Sequence, residues 1–89
     1  MEHADPVNLK RLKTFVEDAL GRADRLAPAT ARTLLRANAE VLRRHLKALS
    51  AWAASESGSP CPPHLRGISA FDLADAAEAL EAEAARRCA

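Results

Sequence analysis

Cys61-Pro62-Pro63-His64 is the short-spaced pair of metal-ligating side chains in this sequence. A thiolate and an imidazole three residues apart can reach one zinc ion, but a closed structural site takes four protein ligands and a catalytic one usually three. The other donors, His3, His45 and Cys88, form no second close pair. A metal- or ligand-binding site using His45, Cys61, His64 or Cys88 therefore requires the fold, or a second subunit, to bring distant residues together. The plainer reading of the surrounding SGSPCPPHLRG is a stiff connector kept polar by its serines and glycine. No cofactor is expected.

His45 and Asn38 pose a different question. Both fall inside the apolar arc of a helical segment, seven residues apart. Polar groups placed there must find partners. The expectation is that neighbouring helices satisfy them and that they set register or oligomer order, as a buried asparagine can in a coiled coil. The alternative is a pH-responsive or ligand-facing His45. A phosphotransfer role fails on spacing, because Lys47 follows His45 by two residues rather than three and His45 points toward the packed face.

Enzyme chemistry finds no support. The sequence has neither a Gly-x-Ser-x-Gly elbow nor a phosphate-cradling glycine loop, and it holds 3 glycines in all. Asp72, Asp75, Glu78, Glu81 and Glu83 are spread around one helix rather than paired in a cleft. Aromatics are confined to Phe15, Trp52 and Phe71, too few for a base-stacking platform or for most small-molecule pockets. The formal net charge is +1, which argues against nucleic acid and anionic membranes as partners. No apolar run reaches the length of a membrane span. The opening MEHADP lacks the basic start and apolar core of a secretory signal, so a cytoplasmic protein with free thiols is expected.

The elements that must position these residues are helices. Asp5-Pro6 suits a helix start, the acid as cap and the proline at the first helical position. Leu9, Leu12, Val16, Ala19, Ala23 and Leu26 then recur every three or four residues, predicting a first helix over 6–26. Gly21 falls on its solvent side, at a cost of about 1 kcal/mol. Leu35, Ala39, Leu42, Leu46, Leu49 and Ala53, flanked by Leu34, Val41 and Trp52, predict a long second helix over 29–54. Ser69 three residues before Asp72 forms a capping box, and Leu73, Ala77, Leu80 and Ala84 carry a third helix over 69–87. Residues 55–68 are the Pro-rich connector. The whole of 1–89 reads as one all-α domain of two or three long amphipathic helices packed as a bundle. Such long helices, with an alanine-rich third member, are better satisfied by a homodimer than by a lone bundle.

Charge is divided between the helices. The second carries Arg32, Arg36, Arg43, Arg44 and Lys47 against Glu40, while the third is acidic. The first expectation is solvated faces that attract each other when the helices pack antiparallel. The functional alternative is a docking surface for an acidic partner helix or for phosphates. Phe71 lies nearly opposite the Leu73/Leu80 stripe, and either folds back onto Leu65 and Ile68, which is the favoured reading, or joins an exposed patch that a partner covers.

Cys61, Pro63, His64, Leu65, Arg66 and Ile68, followed by the amphipathic segment Ser69 to Arg87 and preceded by the basic heptads of the second helix, are similar to the small helical antiactivators that silence LuxR-type quorum-sensing regulators of conjugal transfer. The likeness covers about half the chain. It implies a helical homodimer that binds a transcription regulator and blocks its access to DNA. The sequence thus reads as a non-enzymatic protein-interaction module. Arg32, Arg36, Arg43, Lys47, His64, Arg66 and Phe71 are its candidate partner-binding residues.

Overall fold

The computed structural model describes residues 6–55, Gly58 and residues 60–87. They form three α-helices, α1 (Pro6–Ala23), α2 (Pro28–Ala54) and α3 (Ala70–Arg86), with a single turn of 3-10 helix at Pro63–Leu65. There is no strand among the described residues. The expected cap Asp5 and the donors His3 and Cys88 lie outside them.

α1 stops earlier than its apolar stripe predicts, at Ala23 rather than residue 26. Pro28 sets the limit the chain must respect. A proline disfavours the helical region for the residue before it, and Ala27 is extended, with φ −62° and ψ 151°. The chain must therefore leave the helix beforehand. The backbone N–H groups of Arg25 and Leu26 take tighter bonds to the carbonyls of Arg22 and Ala23, each at 3.1 Å, and the reversal that follows leaves Leu26 exposed. Gly21 lies inside α1, and a Cβ built there meets nothing within 4 Å.

α2 spans 27 residues, about 40 Å at 1.5 Å per residue. Its buried stripe is Ala31, Leu35, Ala39, Leu42 and Leu49, and it packs against the α3 stripe of Leu73, Ala77, Leu80 and Ala84. Small residues on both sides let the two helices approach closely. They run antiparallel: Arg43 of α2 meets Glu81, whereas Arg32, three turns earlier, reaches the carbonyl of Arg87 near the α3 end. α1 adds Leu12, Ala19 and Ala23 to the same core. The capping box opens α3 as read from sequence, with Asp72 N–H donating to Ser69 Oγ at 3.1 Å and Ser69 N–H donating to Asp72 Oδ2 at 2.9 Å.

The connector is more than a spacer. Leu65 is only 2% exposed, and Cys61 and Ile68 pack against the core. Asn8 of α1 fixes it in place. Its Nδ2 donates to Pro63 O at 2.7 Å and to Arg66 O at 2.9 Å, so both amide hydrogens hold backbone carbonyls of the 3-10 turn. Gly67, at φ 81°, then takes the left-handed conformation that a side chain would resist, and the chain turns into α3.

Candidate functional site

α1, α2 and the connector enclose a groove of about 200 Å³. Leu12, Leu42, Leu65 and Leu73 lie deep in it, and Phe15 and Val41 form its open wall. Its polar lining is Asn8, Arg11, His45 and His64, with no carboxylate. Asn8 is already engaged with the connector, which leaves the cation and the two imidazoles to give the groove its polar chemistry.

The two histidines are brought together by the connector. His45 sits one turn beyond Val41 and Leu42 on α2. His64 sits in the 3-10 turn, next to the anchored Leu65 and between the two carbonyls that Asn8 holds. Their ring centroids are 5.1 Å apart and the rings meet edge to face at 62°. Burial, and then the charge of His64, push the His45 imidazole below its ordinary pKa. Cys61 is a free, half-buried thiol. Among the described residues no three or more His, Cys, Asp or Glu side chains cluster as metal ligands.

Within the chain the amide of Asn38 is turned to its own helix: its Nδ2 donates to Leu34 O at 2.8 Å, one turn back. His45 meets the connector rather than another helix. Both side chains are half-buried, on a face shared with Leu34, Val41 and Trp52. Val41 is 36% exposed. The reason is angular. α3 packs on the Leu35/Leu42/Leu49 stripe, and this neighbouring stripe is turned toward α1, whose Arg11 and Phe15 share an open groove with Val41 rather than close over it.

Phe71 does not fold back onto Leu65 and Ile68. It is 80% exposed. The capping box starts α3 at Ala70 and thereby fixes Phe71 on the outer face, while Leu65 is already buried in the core on the opposite side.

Of the basic residues, Arg43 and Arg32 are engaged within the chain. Arg43 grips Glu81 in a two-pronged pair, Nε to Oε2 at 3.1 Å and Nη2 to Oε1 at 2.8 Å, and this bond holds the Glu81 carboxyl below its usual range. The expected attraction between basic α2 and acidic α3 is realised there. Arg32 Nη1 donates to Arg87 O at 2.9 Å. Arg36, Lys47, His64, Arg66 and Phe71 are exposed, so these candidates are open to a partner. Arg36 and Lys47 lie on α2, whereas His64, Arg66 and Phe71 lie along the connector and the start of α3.

Two residues organise this surface in ways not read from sequence, where Arg87 only complements the dipole at the end of the third helix. Asn8 is only 6% exposed, and its signal was available, since it stands one turn ahead of Leu12 in the α1 stripe. Arg87 joins all three helix ends: its Nη2 lies 2.5 Å from Asp24 Oδ1 and 3.2 Å from Glu83 Oε2. Nothing in its spacing marks that role. No helix among the described residues is long and apolar enough to cross a membrane. Compared with protein-family models, with curated proteins and with solved structures, the chain has no significant match.

Proposed function

We propose that this chain is a non-enzymatic protein-interaction module that works as a homodimer and sequesters a transcription regulator of the LuxR type. The observation that carries the interaction reading is the α2 face formed by Leu34, Val41 and Trp52. It is in helical register, yet partly exposed along its length. An apolar stripe of this kind is what helix-against-helix recognition uses. A second copy is the occupant proposed for it.

The regulator is assigned to a different surface, the connector and the start of α3, where His64, Arg66 and Phe71 are exposed in succession. That stretch also carries the resemblance to the antiactivators. A large aromatic flanked by an arginine suits the centre of a protein interface, since such residues dominate binding energy there. The neighbouring charges of Arg66 and, on α2, Arg36 and Lys47 favour a partner face rich in carboxylates.

The test is a gel-shift titration with a LuxR-type regulator on its operator. Added protein should release the DNA, and Phe71→Ser or Arg66→Glu should weaken that release on the order of tenfold or more. Undiminished DNA binding at saturating protein refutes the regulator reading. Release that both variants retain refutes the surface assigned to it.

A further inference from the structure

His45 and His64 are separated by the whole connector in sequence and meet at the mouth of the groove. We infer that the pair binds a divalent transition-metal ion, of the zinc or nickel class, with water completing the coordination. This inference does not rest on the proposed interaction with a regulator.

Geometry carries it. With metal–nitrogen bonds of about 2.0–2.1 Å, each imidazole centroid stands roughly 3.2 Å from the ion, so two rings in tetrahedral array have centroids about 5.2 Å apart. The observed separation is 5.1 Å. The rings now meet edge to face rather than with both nitrogen edges converging. Turning a histidine about its Cβ–Cγ bond re-aims its nitrogens without displacing the ring centre, because that axis runs through the ring, and the torsion is a soft one.

The surroundings suit a neutral nitrogen donor. Among the groove-lining residues the charged neighbour is Arg11 of α1, α3 contributes the apolar Leu73, and there is no carboxylate. Burial and His64 together keep His45 below its ordinary pKa. Imidazole nitrogens select zinc, copper and nickel over magnesium and calcium. With two protein ligands the site is open and exchangeable, unlike a closed structural zinc site.

The backbone is prepared for the pair as well. His64 is one residue from the buried Leu65, and Asn8 ties the carbonyls of Pro63 and Arg66. Metal binding would join the connector to α2 by a second tie, so that it also stabilises the fold.

The experiment is calorimetric titration of the full chain with Zn²⁺ and with Ni²⁺, alongside His45→Gln, His64→Gln, His3→Gln and a Cys61→Ser/Cys88→Ser double variant. One ion per chain is expected. Affinity should fall on the order of tenfold or more in either of the first two variants and stay unchanged in the other two. Because His64 is exposed, its variant tests the site without disturbing the core, and circular dichroism checks that each variant is folded. Absence of binding, binding that survives both His45→Gln and His64→Gln, or binding lost in the cysteine double variant overturns the assignment.

Discussion

At the scale of single residues, the two that matter most to the candidate site are a buried asparagine and a histidine pair. Asn8 spends both amide hydrogens on connector carbonyls. Asn8→Ala leaves Pro63 O and Arg66 O without that donor, which costs about 0.5–1.5 kcal/mol for each hydrogen bond lost. The measurable outcome is a lower midpoint in urea unfolding, together with faster amide exchange at Leu65 and Ile68. His45 predicts a pH dependence whose sign follows from its lowered pKa. Between the folded and unfolded pKa values the unfolded chain binds the extra proton, so stability rises with pH in that window. The contribution is fully present above the unfolded value, about 6.5, and is lost as pH falls toward the folded one. In chelator, the melting temperature should drop between pH 7.5 and 5.5, and His45→Gln should flatten that slope. Besides burial, the charge of His64 on the connector disfavours protonation of His45, and Arg11 of α1 is the other charged residue lining the groove. The sequence made His45 and His64 legible separately and could not pair them. Their meeting depends on Leu65 being buried and on Asn8, contacts of long sequence separation that no local period encodes.

At the scale of elements, the sequence was most informative where one rule acted alone. The α2 stripe repeats at four and three residues without interruption, and the helix runs from Pro28 to Ala54 as that pattern implies. The capping box at Ser69 and Asp72 is likewise a local device, and it forms. The errors arose where two rules competed. Leu26 continues the α1 period, but the helix ends at Ala23 and its last turn tightens, Arg25 and Leu26 bonding three residues back, before Pro28 holds Ala27 extended. Phe71 offered a choice between folding back and facing outward, and the cap geometry decided it. Gly21 gives the element-scale prediction. It sits inside α1 on the solvent side with open space around a built Cβ, so Gly21→Ala should stabilise the protein by about 1 kcal/mol through helix propensity. Ser69→Ala should do the reverse, since losing an N-cap costs about 0.5–2 kcal/mol. Thermal unfolding of the two variants side by side checks both signs, and a neutral Gly21→Ala would mean that α1 is already constrained by tertiary packing alone.

At the scale of the whole molecule, the lengths of the helices do not match. α1 and α3 have 18 and 17 residues, or about 27 and 26 Å, against about 40 Å for α2. Neither can cover α2 from end to end. The connector supplies Leu65 and Cys61 toward the far end, but Trp52 stays half-buried and Val41 is 36% exposed. Covering that stripe with the same stripe of a second copy satisfies both chains at once, as a two-fold interface requires. Asn38 is half-buried on this face with its amide turned to its own helix, so apolar burial is the main source of association in the proposed dimer. Thermal stability then depends on protein concentration, because folding and association are linked by mass action. Over a hundredfold dilution the wild-type midpoint should fall and the mass by light scattering should shift from dimer toward monomer. Val41→Glu places a charge in the middle of the stripe. It should give a monomer at every concentration, with a midpoint that no longer moves on dilution. A wild-type midpoint independent of concentration, with monomeric mass throughout, would leave α2 half-covered in the working protein and remove the dimer from the proposed function.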